Sequence, residues 1–325
     1  MKKTKRFLTA LLLLATVMVM TVACAEAKLP KKIEVQVPAK AGGGTDVMAR
    51  ALTQEIGAQS GAKFTVVNNT DGAGVVACET VRNAKPDGSK LLAFHTTMLI
   101  KSATGVYDKK ATEDFKVIAV GVPNEKVTYF LLTNSNSGLD SMEKFVEYAK
   151  ANETKMGIET GGQAHILSGL TAEKAGLNLR YVESGSATEQ LTALVGGTVD
   201  AVFVNGNQAK QYIEAGKVFC IAAVGDGNPA TRSSILPDVP NMQELGYDIS
   251  WNLYNFILGP ASMDDELAKL IWNYYAEAAK SDAVNEILVP AGMDMEMLPY
   301  EEGLSALKAM EETLDPVIEA LGLKQ

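Results

Sequence analysis

Histidine is nearly absent: the 325-residue chain has two, His95 and His165. Neither has a metal-ligand partner at metalloprotease spacing, so that class of metal enzyme is excluded. The Gly-x-Ser-x-Gly elbow of serine hydrolases is missing as well. Ser141-Met142-Glu143-Lys144 does match Ser-x-x-Lys, but it opens an amphipathic helical pattern and is better explained by capping. Cysteine is as scarce, with Cys24, Cys78 and Cys220 in the whole chain. So few make no disulfide framework, and Cys78 and Cys220 read as small buried residues. Positive charge is not in excess: 30 Lys and Arg stand against 39 Asp and Glu, a formal net charge of −9. An acidic chain is a poor partner for nucleic acid or an anionic membrane surface. Beyond the N-terminal segment no apolar run reaches the ~20 residues that a bilayer needs. Catalysis and nucleic-acid binding are therefore poorly supported, and no metal or other cofactor is expected.

What the chain does have begins at its N-terminus. Lys2, Lys3, Lys5 and Arg6 precede an apolar run from Phe7 to about Val22, and small residues follow from Ala23 to Ala27. A basic head, a short apolar middle and a small-residue exit describe a secretory signal over residues 1–27. Cleavage after Ala27 leaves a soluble extracytoplasmic protein. The alternative exit is a lipoprotein signal with Cys24 as the lipid-carrying first residue, although Thr21 stands where a branched apolar residue is usual.

From Lys31 onward β-type runs alternate with helical patterns. Ile33 to Val37 alternates at period two, whereas Met48, Leu52 and Ile56 recur every four residues on one helix face. Strands are expected at 64–67, 91–94 and 115–120, and a second series at 129–132, 155–158, 179–182, 201–204 and 218–224. Asp140 is expected to cap a helix from Ser141, and Asp315 to cap a last helix that starts at Pro316. Alternating strands and helices argue for mainly parallel sheets. The fold class is α/β with two lobes: residues 28–127 in lobe one, 128–254 in lobe two, and a return strand near Asn255 leading a helical tail, 255–325, back to lobe one. The cleft between such lobes is the expected ligand site.

Four glycine-bearing loops fall at strand C-terminal ends, where open α/β sheets bind ligands. They are Gly42-Gly43-Gly44-Thr45-Asp46, Asn68 to Gly74, Gly157 to His165, and Gly185-Ser186-Ala187. The N–H groups of a first helical turn point outward with a positive dipole, which suits an anion. A plain glycine turn with Thr45 or Asp46 as cap is the other reading of the first loop. It is not a nucleotide loop, since no Gly-Lys-Ser/Thr follows.

These residues carry a resemblance. Val37-Pro38 followed by Gly42 to Arg50 is similar to the opening signature of tripartite tricarboxylate transporter substrate-binding proteins, also called the Bordetella uptake gene family. The likeness continues through Gly72-Ala73-Gly74, Lys85-Pro86-Asp87-Gly88, His165, Leu194 to Asp200, Ala215-Gly216-Lys217 and Leu236 to Pro240. The resemblance implies a two-lobed binding protein of the periplasmic type II kind, without catalysis, that closes on a small carboxylate and passes it to a two-component membrane permease. By position it implicates Gly43, Gly44, Thr45, Asp46, Ala73, Gly74, His95 and Thr96 in lobe one. In lobe two it implicates Glu159, Thr160, Gly161, Gln163, Ala164, Gly185, Ser186, Ala187 and Asn205. Lys40, Ala41, Thr70, Glu159 and Val204 depart from the family pattern.

Glu159 stands where the resemblance leads one to expect serine. Facing the cleft, it would attract an ammonium and repel a second ligand acid group. A zwitterion with its carboxylate on the Gly43–Thr45 loop and its amine towards Glu159 is the corresponding expectation; an outward, solvated Glu159 is the other. The rival function is an exported hydrolase using His95 or His165 beside a loop hydroxyl. The sequence reads as a monomer.

Overall fold

The structure, a computed structural model, describes residues 27–324. The leader before Ala27, with Cys24 and the question of its lipidation, lies outside them.

The period-two segment forms β1 (Lys32–Val37) and the four-residue repeat forms α1 (Gly44–Ser60). Then follow β2 (Lys63–Asn68), a 3-10 turn over Asp71–Gly74, α2 (Val75–Arg82), β3 (Lys90–His95), α3 (Thr97–Ala103) and β4 (Phe115–Pro123). A second run contains β5 (Tyr129–Asn134), α4 (Met142–Ala151), β6 (Thr154–Ile158), α5 (Gln163–Ala175), β7 (Leu179–Glu183), α6 (Ala187–Val195), β8 (Ala201–Asn205), α7 (Gly206–Glu214) and β9 (Val218–Val224). The chain ends with β10 (Asn255–Pro260), α8 (Asp265–Lys280), α9 (Asp282–Leu288), β11 (Met295–Met297) and α10 (Tyr300–Ala320).

These strands make two sheets. One has the order β11-β4-β10-β3-β1-β2 and the other β7-β6-β8-β5-β9. Each keeps a parallel core, β2-β1-β3 in the first and β7-β6-β8 in the second. The expectation of mainly parallel sheets needs correction at the other strands. β10 runs antiparallel between β3 and β4, and β5 runs antiparallel between β8 and β9. The reason is connectivity: β5 and β10 each arrive from the other sheet rather than through a local crossover helix.

Three local expectations are also corrected. The tail is not purely helical, because β11 pairs antiparallel with β4. Ser141, not Asp140, caps α4 by accepting from Lys144 N–H, while Asp140 pairs with the Lys144 ammonium at 2.8 Å. Pro316 lies inside α10 rather than at its start. Proline removes one N–H from the helical ladder, yet Leu307, Leu314, Val317 and Ile318 on the same helix are all buried, and that packing carries the helix through.

The chain crosses between sheets twice, after β4 and after β9, and the strands of the crossings lie side by side. Thr128 N–H donates to Val224 O at 3.1 Å, and Trp251 N–H donates to Gly225 O at 2.8 Å. A third link is helical. One apolar cluster holds Phe94 and Met98 of the first half, Ile166 and Leu167 of the second, and Leu314 and Ile318 of α10. Leu321, just past α10, sits against Gly169 of α5 so closely that an added Cβ would lie 2.5 Å from it. Cys78 is buried and Cys220 half-buried, both free, and burial pushes each thiol up to about 12, which makes both poor nucleophiles.

Candidate functional site

The first-half loops are held by their own side chains. The Asp46 carboxylate is 3% exposed and accepts from Gly42 N–H at 2.8 Å, Asn68 Nδ2 at 2.9 Å and Arg50 Nε at 2.9 Å. Burial works to raise its pKa, but these three partners win and hold it below the usual aspartate range. Asp46 therefore shapes the Gly42–Gly44 turn from inside. Gly74 has φ +89° and packs so tightly on Pro38 that an added Cβ would lie 2.7 Å away, and exposed Ala73 beside it also takes a left-handed backbone, φ 57°. Thr96 is fully buried; its hydroxyl accepts from Tyr254 N–H at 2.8 Å and its own N–H donates to Tyr254 O. It ties β3 to the returning crossover.

The second-half loops are tied by two carboxylates. Glu183 accepts from Thr160 N–H at 2.7 Å, from the Thr160 hydroxyl, and from Gly185 N–H at 3.0 Å. These bonds, the Thr160 hydroxyl foremost, lower its pKa against the effect of burial. Glu189 closes a capping box at the start of α6, accepting from both Ser186 N–H and Ser186 Oγ at 2.7 Å. His165 is buried against the Tyr181 ring, 4.7 Å between centroids, and its Nδ1 accepts from Gly161 N–H at 3.3 Å. Burial lowers its pKa against the pull of Glu183.

Between the halves lies a cavity of about 310 Å³. Of the expected site residues, Glu159, Thr160, Gly161, Gln163, Ala164, Ala187 and Asn205 line it. Gly185 and Ser186, next to Ala187 in the chain, are not among its lining residues. Gly43, Gly44, Thr45, Asp46, Ala73, Gly74, His95 and Thr96 are not among its lining residues. The first half instead contributes α3, chiefly Thr97 and Lys101. A second cavity of about 320 Å³ by the crossovers shares Asn205 and is otherwise lined by such residues as Thr128, Ser234 and Asp294.

Lys101 was not anticipated, nor were Tyr129 and Gln190. A signal for Lys101 existed: Thr97, Lys101 and Thr104 follow i, i+4, i+7 and so share a helix face. Burial and then the nearby Lys101 charge push His95 down to about 4, so its imidazole is neutral at physiological pH. Its Nδ1 faces Thr97 N–H at 3.4 Å. Burial, and next the negative Glu159, push the Tyr129 phenol up. No group of His, Cys, Asp and Glu that could hold a metal occurs among the described residues. No helix among them is long and apolar enough to cross a membrane.

The family profile described as tripartite tricarboxylate transporter family receptor matches residues 48–323. The chain belongs to that receptor family. Its members are periplasmic solute-binding proteins, not enzymes, which removes the hydrolase alternative for His95 and His165. Protein BugT of Bordetella pertussis is 26% identical over 269 residues, covering 81% of this chain and 80% of BugT. A solute-binding protein from Polaromonas superposes with a TM-score of 0.77 at 22% identity, covering 89% of this chain and 98% of that one. MatC from Rhodopseudomonas palustris, solved with bound malate, superposes with a TM-score of 0.68 at 19% identity, covering 88% and 98%. The two-sheet α/β architecture is thus that of the periplasmic receptors of this family.

One consequence for the site is open to titration. A carboxylate whose folded pKa is lowered adds stability above its unfolded pKa, and that stability is lost as pH falls through the lowered value. Glu183→Gln is therefore expected to flatten the acid limb of a stability-against-pH curve and to raise hydrogen exchange at Thr160 and Gly185. An unchanged acid limb with unchanged exchange would show that Glu183 does not bind the two loops together.

Proposed function

We propose that this receptor is exported, captures a small carboxylate-bearing solute (an organic acid or an amino acid) between two lobes, and hands it to a two-component membrane permease. The lobes divide near Thr128 and Asn255, and the leader is removed after Ala27 unless Cys24 carries a lipid. The cavity between the halves supports this reading most directly. It is walled on one side by the loops after β6 and β8 and on the other by α3, which follows β3. Strand C-terminal ends facing one crevice are where α/β folds place ligands. Malate in MatC supports the carboxylate class, and Lys101 supplies a cation to receive it.

Binding should close the lobes about the paired crossovers. Saturating carboxylate is expected to lower the radius of gyration in X-ray scattering and slow amide exchange near Thr128 and Asn255. At a hundred times its dissociation constant a ligand should stabilise the protein by about 2.7 kcal/mol. A carboxylate that stabilises the protein yet leaves the scattering curve unchanged would refute closure.

A further inference from the structure

Resting on the lobe closure read above, we propose that each crossover bends at one linkage, Asn124–Glu125 and Asn252–Leu253, and that the Lys126–Glu296 ion pair holds the halves open. The residues on either side of each linkage are fastened to opposite halves. Asn124 is fixed to the first half: its N–H donates to Asp294 O at 3.0 Å and its Nδ2 to Asp294 Oδ2 at 2.7 Å. Glu125, the next residue, is fixed to the loop that follows β9. Its carboxylate accepts from Ser234 N–H at 2.7 Å, from the Ser234 hydroxyl at 2.6 Å and from Val127 N–H at 2.9 Å.

The returning crossover repeats the arrangement. Trp251 is held in the second half, its N–H on Gly225 O at 2.8 Å and its indole N–H on Gln163 Oε1 at 3.2 Å. Tyr254 is held in the first half by its two bonds with Thr96. Between them Asn252 and Leu253 make no hydrogen bond among the described residues. On the second-half side of both linkages the crossovers touch: an added Cβ on Gly225 would lie 3.1 Å from Lys126 O. They therefore turn together. The cavity of about 320 Å³ flanks both linkages, lined by Pro123, Glu125 and Leu253, with Ser234 on one wall and Gly292 on the other. Its walls can approach or part without breaking a packed core.

Across the first linkage lies a charge pair. Lys126 Nζ stands 3.1 Å from Glu296 Oε1 on β11, the sole ion pair between the halves so divided among the described residues. Rotation at Asn124–Glu125 carries Lys126 away while Glu296 stays with the first sheet. Coulomb attraction opposes that movement, whereas the apolar contact of Leu321 with Gly169 has no preferred direction. The loops at Gly43 and Gly74 line no part of the cavity between the halves, as expected of an open arrangement.

The test measures the spread of lobe distances in the ligand-free protein by pulsed electron spin resonance. Nitroxides go on exposed positions of the two halves, Gln54→Cys and Thr188→Cys, with Cys220→Ser to remove the half-buried thiol. At low salt Lys126→Met and Glu296→Gln should each raise the short-distance population about two- to fivefold, the worth of an exposed ion pair. The double variant should gain no more than either single one, and the exchanged pair Lys126→Glu with Glu296→Lys should restore the wild-type distribution. In about 1 M salt, where screening reaches within ~3 Å, wild type and variants should coincide. Glu125→Ala, which frees the crossover from Ser234, should widen the distribution rather than shift it. Identical distributions in all proteins, or single effects that add in the double variant, overturn the latch. A Glu125→Ala distribution as narrow as the wild type overturns the confined bend. The scattering measurement above tests closure separately, so failure of the latch and failure of the receptor reading are told apart.

Discussion

Trp251→Ala is expected to lower the unfolding free energy by about 3–5 kcal/mol, the usual cost of deleting a large buried aromatic side chain. Trp251 is 2% exposed and lies in the returning crossover, within the apolar cluster that reaches both sheets. Its indole N–H also donates to Gln163 Oε1 at 3.2 Å, so it fixes the first residue of α5 beside the cavity. Trp251→Phe separates the two roles. It keeps much of the packing and removes the hydrogen bond, for an expected loss of about 1 kcal/mol. Urea unfolding of both variants measures the difference. If the alanine variant loses no more than the about 1 kcal/mol expected of the phenylalanine variant, Trp251 does not hold the crossover by packing.

The second large effect is expected at Asp46. Asp46→Ala strips partners from Gly42 N–H, Asn68 and Arg50 at once, and the loss should reach about 2–3 kcal/mol. Arg50 is half exposed and regains water, which keeps the cost below that of a fully buried pair. The same carboxylate has a lowered pKa, so its contribution is present above the unfolded aspartate value and disappears as pH falls through the folded one. Asp46→Asn should therefore approach the wild type in acid and fall below it near neutrality. Denaturant midpoints measured from about pH 2 to pH 7 check this. A constant gap across that range would mean that Asp46 is not held as the buried anion that shapes the Gly42–Gly44 turn.

Asp46 also illustrates what could be read without coordinates. Its position after three glycines and before the Met48, Leu52, Ile56 stripe marks a helix start, and α1 begins at Gly44. That much is local, because a cap and a helical period are written within a few residues. That one N–H of the turn, from Gly42, is given to the turn's own carboxylate, and that Asn68 at the end of a neighbouring strand holds the same carboxylate, was not legible locally. The lobe-two loops repeat the lesson. Glycines at 161, 162 and 185 announced turns after strands, but Glu183 reaches Thr160 across a separation of 23 residues. No period or spacing reveals which donor such a carboxylate will take. The resemblance implicated Thr96 in the ligand site, and its hydroxyl is in the structure a buried tie to Tyr254, 158 residues on. Pro316 looked like a helix start because its local preference is strong, and burial of α10 overrode it.

The sequence by itself determined the α/β class, the strand-helix order, the family and the positions of the loops at strand ends. These follow from side-chain period, glycine placement and motif order, all carried by neighbours along the chain. Tertiary structure alone decided the antiparallel insertion of β5 and β10, the embrace of both halves by α10, and the chemistry of the cavity walls. Those depend on which distant groups meet. Lys101 became the cavity's cation because the packing of α3 turns its polar face to the cleft. Glu159 became its open anion because Glu183 and Glu189, and not Glu159, reach the loop donors.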